Sequence, residues 1–484
     1  MDMAEKLQGL AEKKNAILQG DKDRVLKQHS AGKSTARERA LKLFDAGSFA
    51  EIEGLREESH LVAGCGTVNG QPVYLAAQDY ASRGGAMTRE QAAKIVKTLR
   101  LARVTGSPAV LMLDSDGVQL EDGAEALAAY ARVANTLARL SGVCPMIGCV
   151  MGPARGMAAV MAQLCDVTVQ VKKTGETALH TALVMNSEKG KQKDGQQLFG
   201  ADVMNAQGAA AFTAENEEEA IALTAALIDL LPASNMEDAP LADGDDLNRL
   251  TVCDDPENVD ALIQDLLDEG RVLELYKAWG GAVKTVLGRL GGRAVGVVAT
   301  DPTIDGGRLT AADCRKAARL IRLCDCYQLP VITLVNTAGI AVPAADGQGD
   351  LLRAAADLVY AYAEATAPKA ALFTGSAVGA AYVALGGSRL ADMSYAWPTA
   401  MISPLTAEAA VQALNGKELN AGESREALEA AYAEKNGAFA AARSGIVDDV
   451  IEPRESRKYL IAALEVLAGK QDVNLPKKHG NLPL

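Results

Sequence analysis

Two stretches of the sequence offer chemistry through their backbone rather than their side chains. From Val150 the chain reads VMGPARGMAAVMAQLCD, and nothing in it serves as a nucleophile, base or metal ligand except Cys165 and Asp166 at its far end. From Phe373, FTGSAVGAAYVALGG has almost the same shape. In each, a strand-like lead-in meets a glycine and hands over to small residues that open a helix. The first N–H groups of a helix have no partner within it, and the helix dipole adds positive potential there. Such a junction holds an anion, or an oxyanion that develops during reaction. Small residues let a substrate approach the backbone. A purely architectural strand–helix junction looks the same, so it is the occurrence of two in one chain that speaks for function. Two oxyanion holes imply a reaction with two oxyanions and no side-chain nucleophile. The histidines agree with this: His29, His60, His180 and His479 are scattered, with no Ser/His/Asp order.

The elements that must position these loops repeat. GQPVYLAAQDYASRGGAMTREQAAKIVKTLRLARVTGSPAVLMLDSDG, from Gly70, aligns without a gap on GRAVGVVATDPTIDGGRLTAADCRKAARLIRLCDCYQLPVITLVNTAG, from Gly292. Gly84 and Gly85 match Gly306 and Gly307, Asp79 matches Asp301, Lys94 matches Lys316, and Gly117 matches Gly339. Each copy reads strand, Gly-Gly turn, amphipathic helix, Pro, apolar strand and small-residue loop, a βαβ pattern with buried parallel strands such as AVLML and VITLV. The loops come next in each copy, after Pro145 and Pro368, with Gly152/Gly375 and Gly156/Gly379 at nearly the same offset. The chain therefore reads as two homologous α/β domains, 1–240 and 247–484, joined by an acidic linker within ASNMEDAPLADGDD (233–246).

Composition bounds the partners. The chain has 484 residues and a net charge of −13, which excludes nucleic acid as a main partner because phosphate binding needs a basic face. Among its eight cysteines no C-x-x-C pair occurs, and no metal site is expected. MDMAEKLQGL lacks the apolar segment of a secretion signal, and no run reaches membrane-spanning length. A cytoplasmic location is expected, with any membrane attachment made through a partner subunit.

At this point the sequence resembles the carboxyltransferase subunits of biotin-dependent acyl-CoA carboxylases and decarboxylases, of the propionyl-CoA carboxylase beta and methylmalonyl-CoA decarboxylase alpha type. QHSAGKSTARERALKLFDAGSFAEIEG (28–54), GTVNGQPVYLAAQDYASRGG (66–85) and SGVCPMIGCVMGPARG (141–156) carry the resemblance in the first half. RLIRLCDCYQLPVITLVNTAG, YAYAEATAPKA, YAWPTA (395–400) and the tail KKHGNLPL carry it in the second.

The resemblance implies a duplicated crotonase-like (ClpP/crotonase) fold, a homo-oligomer (dimer or trimer of dimers), and a site between the first domain of one subunit and the second domain of another. It implies that the backbone N–H groups of Gly156 and Met157 hold the acyl-CoA thioester oxygen as the α-carbon becomes an enolate. Gly379, Ala380 and Ala381 then hold the ureido oxygen of biotin. Coenzyme A enters as the thioester substrate. The chain has no Met-Lys-Met biotinylation site and no ATP-grasp region, so biotin is expected on a separate biotin carboxyl carrier protein. A biotin carboxylase or a membrane decarboxylase subunit is expected as another chain. Lys33, Arg37 and Arg39, gathered by a capping box at Thr35-Ala-Arg-Glu38, are the cations expected at the CoA phosphates; a surface-charged helix start is the equal alternative. Gly84, Gly85, Gly117 and Gly339 are expected to line the cofactor-facing loops.

The sequence departs from the family pattern at several loop positions. Met157 stands where a second Gly is common, DSDGVQLEDG (114–123) lacks the usual Gly-Gly and has Gln119 for Arg, and NTAGIAVPAADGQGD (336–350) replaces an Asp-x-Pro-Gly-Phe pattern. Val378 and Ala380 replace Tyr and Gly, and Val383 occupies a position that is often acidic. These departures support a second reading, a catalytically weak paralogue acting as scaffold or partner subunit. A third, a hydratase or isomerase without biotin, needs a carboxylate pair such as Glu121 and Asp122.

Overall fold

The computed structural model builds each repeat around an eight-stranded sheet. All residues are described except 1, 2, 20, 57, 58, 190, 191, 269–271, 421, 474, 475, 478 and 482–484; part of the KKHGNLPL tail therefore lies outside the described residues. Three helices open the chain, α1 (Met3–Gln19), α2 (Lys22–Ser30) and α3 (Ala36–Leu43). The Thr35 capping box forms as expected: the Thr35 hydroxyl accepts from Glu38 N at 3.3 Å and the Glu38 carboxylate accepts from Thr35 N at 2.8 Å. It fixes where α3 starts and so which way Arg37 and Arg39 point.

The first sheet runs β1 (Ala50–Glu51), β2 (Leu61–Val68), β3 (Gln71–Gln78), β4 (Ala109–Ser115), β5 (Met146–Arg155), β6 (Val167–Val171) and β8 (Phe212–Ala214), with β7 (Glu176–Ala178) beside the end of β5. Between strands lie α4 (Arg89–Thr105), α5 (Ala124–Leu140), α6 (Met157–Gln163) and α7 (Glu217–Leu230). The second sheet runs β16 (Asp449–Val450), β14 (Met393–Ala396), β13 (Lys369–Val378), β12 (Val331–Thr337), β11 (Arg293–Thr300), β10 (Val283–Leu290) and β9 (Leu273–Leu275), with β15 (Met401–Ser403) beside the end of β13. Its helices include α8 (Ala311–Cys326), α9 (Gln348–Glu364) and α10 (Gly379–Ala384).

The duplication holds to the level of register. Tyr74 pairs with Ala109 as Gly296 pairs with Val331; Ala109 pairs with Met146 as Val331 pairs with Lys369. The irregularity between Leu113 and Ser115 recurs between Val335 and Thr337. Every residue of β4 and of β12 is buried, as parallel strands covered on both faces must be. Ile95 and Leu99 of α4 and Val133 and Leu137 of α5 close over Leu111, Leu113 and Val150 in the first core. In the second, Trp397 is fully buried beside Leu460 and donates from Nε1 to Ser456 Oγ at 2.8 Å, which satisfies its one polar atom. The chain divides into two compact units, Met1–Asp238 and Ala239–Leu484. Residues 240–242 belong to the second unit, where Arg289 Nη1 donates to Pro240 O at 2.6 Å and Ala242 N to Gly292 O at 3.1 Å. Among the described residues, no helix is long and apolar enough to cross a membrane.

The matched lysines are both buried. Lys94 Nζ donates to Leu61 O at 2.7 Å, but Lys316 reaches only Gly280 O, at 3.4 Å, and burial pushes its ammonium down to about 8. Between that value and the ordinary ~10.4, the unfolded chain holds a proton that the folded chain has lost. The second unit should therefore gain stability as pH rises from about 8 toward 10, by on the order of 3 kcal/mol. In Lys316→Met that rise should disappear; denaturant titrations of both proteins across this range measure it.

Candidate active site

The two loops sit at equivalent places, where β5 ends at α6 and β13 ends at α10. Gly156 has φ +61° and Gly379 φ +59°. At Gly156 the ψ of −125° completes a conformation that is essentially restricted to glycine. β7 and β15 flank the ends of the two strands with matched register, Pro153 to Glu176 and Ser376 to Met401. The sheet takes one of the expected donors: Gly156 N donates to Ala178 O at 2.8 Å. That corrects the assignment of the Gly156 N–H to the thioester oxygen, because the strand addition by β7 already occupies it. Ala159 N turns back to Gly156 O at 3.1 Å, so Met157 and Ala158 supply the N–H groups ahead of the first bond within α6.

The second glycine loop closes on the first. Gly117 has φ +113° and Gly339 φ +122°. A Cβ at Gly117 would stand 3.5 Å from Arg155 O, and one at Gly339 would stand 3.6 Å from Val378 O. Each loop thus lies beside the strand end that carries the helix junction. The Gly117 carbonyl is held by Met87 N at 2.8 Å and Tyr130 Oη at 3.1 Å. Gly84 and Gly85 (φ +64° and +63°) repeat as Gly306 and Gly307 (φ +63° and +69°). A Cβ on Gly85 would fall 2.0 Å from Asp114 O. Gly85 therefore allows the close backbone approach to β4.

Beneath the first junction lies a buried ionic cluster that the sequence alone did not show. Asp114, at the end of β4, accepts from Lys33 Nζ at 2.7 Å and from Gln28 Nε2 at 3.2 Å. Arg39 Nη1 stands 2.9 Å from Asp114 Oδ2, off the direct hydrogen-bond line, and Arg39 also donates from Nε to Glu217 at 3.1 Å. Asp114 and Arg39 are both 0% exposed. This corrects the expectation that Lys33 and Arg39 meet CoA phosphates: both are committed to carboxylates inside the unit. Burial pulls the Lys33 ammonium below its usual range against the opposing pull of Asp114.

Arg37, on the same helix, is partly buried. It pairs with Glu51 through two bonds of 2.8 and 3.1 Å and lines a cavity of about 310 Å³ with Arg24, Arg56, Asp79 and Lys94. In the same cavity wall Ser82 Oγ and His60 Nδ1 are 2.5 Å apart, a contact that their sequence separation hides.

The second unit replaces the ionic cluster with an amide. Asn336, the match of Asp114, accepts from Ser376 N at 3.0 Å and donates from Nδ2 to Pro256 O at 3.0 Å. In the first unit the match of Ser376 is Pro153, which has no N–H to give. Both arrangements require glycine on the neighbouring strand: a Cβ on Gly152 would meet Asp114 Oδ1 at 2.0 Å, and one on Gly375 would meet Asn336 Oδ1 at 2.4 Å. Glu121, offered as half of a carboxylate pair, is exposed and bonded to Gln119 Nε2. Among the described residues no group of three or more His, Cys, Asp or Glu could hold a metal ion.

Two duplicated α/β units, each ending a central strand in a glycine junction at a short helix, form the two-domain crotonase-like fold of carboxyltransferases. The sequence matches the carboxyl transferase domain family over residues 27–482. It is 36% identical to the alpha subunit of methylmalonyl-CoA decarboxylase of Veillonella parvula, over 96% of each chain. It is 35% identical to the propionyl-CoA carboxylase beta chain of Saccharopolyspora erythraea, over 97% of this chain and 94% of that one. Its structure superimposes with a TM-score of 0.93 on a crystal structure of the transcarboxylase 12S hexamer with methylmalonyl-CoA and methylmalonic acid bound, at 32% identity, covering 100% of this chain and 99% of that chain. The chain belongs to the carboxyltransferase family of biotin-dependent acyl-CoA carboxylases and decarboxylases.

Proposed function

We propose that this chain moves a carboxyl group between biotin, carried on a separate protein, and the α-carbon of a short acyl-CoA of the propionyl/methylmalonyl class. The observation that carries this reading is the pair of matched glycine junctions, Gly156 and Gly379, each presenting the first N–H groups of a short helix. The first junction takes the thioester: Met157 N–H, with Ala158 behind it, holds the carbonyl oxygen as charge develops on it. The second takes the ureido group: Gly379, Ala380 and Ala381 open α10 with N–H groups that have no acceptor within the helix. The residues at the loop before Gly339, at the end of β13 and on β15, Ala338, Val378 and Met401, are uncharged, which suits a neutral ureido group. Bound biotin would supply the carrier that accepts or delivers CO₂. The chain itself orients the acyl α-carbon, stabilises enolate charge and keeps the two reactants together, a proximity effect.

The biotin carrier, a homo-oligomeric state, and an ATP-dependent carboxylase or membrane decarboxylase subunit belong to the same reading. So does a cytoplasmic location with any membrane contact made through that partner. Purified protein incubated with methylmalonyl-CoA should form propionyl-CoA only when free biotin is added. Turnover without biotin would replace this reading with plain crotonase-type chemistry; no turnover and no binding of CoA thioester by calorimetry would replace it with the scaffold reading that Met157 and Gln119 favour.

A further inference from the structure

The repeats also differ in polarity at the rim of the first junction. Arg155, the last residue of β5, reaches Asp116 Oδ1 with Nη1 at 2.5 Å and Glu176 Oε2 with Nη2 at 3.2 Å. Asp116 lies in the loop before Gly117, and its other oxygen accepts from Tyr80 Oη at 2.9 Å. The Tyr80 ring in turn lies 4.0 Å from Lys33 Nζ, at the edge of the buried ionic cluster. The matching residues of the second repeat are Pro302, Ala338, Val378 and Met401, none of which can make any of these bonds. There the same loop-to-strand approach is made by packing: a Cβ on Gly339 would lie 3.9 Å from the Val378 side chain.

We propose that Arg155 and Asp116 are positioning residues for the first oxyanion site: their bond straps the Gly117 loop to the Gly156 junction and fixes where the Met157 N–H points. The inference rests on the reading of that junction as the thioester site. Its logic is geometric. Asp116 lies on the loop before Gly117 and Arg155 at the end of β5, whose backbones already approach closely, and the guanidinium spans from one to the other and on to β7. Arg155 and Asp116 side chains are 33% and 41% exposed, so the pair adds little to global stability. What it controls is a local distance. A misplacement of a catalytic group by about 1 Å costs up to a hundredfold in rate, whereas the same displacement barely registers in a melting curve.

The test compares Arg155→Met, which keeps the bulk without the charge, with Arg155→Lys and Asp116→Ala, in the biotin-dependent assay of methylmalonyl-CoA. Arg155→Met and Asp116→Ala should lose roughly ten- to hundredfold in kcat with KM little changed, and Arg155→Lys should recover part of that loss. Melting temperatures should stay within about 2 °C of the parent. Amide exchange at residues 116–119 and 156–158 should accelerate in Arg155→Met, a readout that needs no turnover. Unchanged kcat together with unchanged exchange overturns the strap, as does a loss that falls on melting temperature and is not recovered by lysine. Met157→Pro in the same assay separates the two ideas. If it keeps full activity, the thioester reading has failed; if it collapses while Arg155→Met is unaffected, only the strap has.

Discussion

Met157→Pro should lower kcat for biotin-dependent turnover of methylmalonyl-CoA by about 10²–10³, the usual effect of removing one oxyanion-hole donor. Met157 is the first residue of α6, the helical position that proline favours, because its missing N–H breaks no helical bond and its fixed φ suits the helix. Gly156, with ψ −125° and no Cβ, gives the proline ring room. The substitution therefore deletes the donor and little else. KM should change less than kcat, because the interaction grows as charge moves onto the thioester oxygen. Steady-state kinetics with a melting curve makes the comparison. A large fall in kcat with the fold intact is the expected result, and a wild-type kcat rejects the backbone donor at this junction.

Asp114→Ala should be among the most destabilising single changes in the first unit. Asp114 and Glu217 balance Lys33 and Arg39 in a site where Asp114 and Arg39 are fully buried. Removing the Asp114 carboxylate leaves a net positive charge without water, and breaking a buried pair in this way costs about 3–5 kcal/mol. For a unit of this size that corresponds to a fall of on the order of 10 °C in its melting temperature. Asn336→Ala, the matched change in the second unit, removes the hydrogen bonds of an uncharged amide and should cost only about 1–3 kcal/mol. Calorimetry of the two variants tests the contrast. Equal losses would mean that the charge at Asp114 is unimportant and only the bonds to the neighbouring strand matter.

The cluster also ties the N-terminal helices to the first junction. Gln28 from α2, Lys33 from the turn and Arg39 from α3 all converge on the end of β4, which leads directly into the Gly117 loop. Their chemistry is that of a foundation: they hold the strand end from which the loop departs.

Much of this was legible in the sequence. The ungapped repeat set the βαβ order and the two junctions, because glycine at φ near +60° and fully apolar parallel strands are requirements of local backbone geometry and burial. The Thr35 capping box was readable for the same reason: its partners lie three residues apart. What only the tertiary structure decided is which polar groups are already occupied. Ala178, more than twenty residues from Gly156, takes the N–H that the sequence left available. Glu217 and Asp114 draw Arg39 inward, although Arg37, two residues away on the same helix, faces the cavity. Such pairings depend on which distant carboxylate or carbonyl the fold brings within hydrogen-bond reach. Local propensity carries no record of that distance, so the residue types announced a site, and the packing decided which of them were free to serve it.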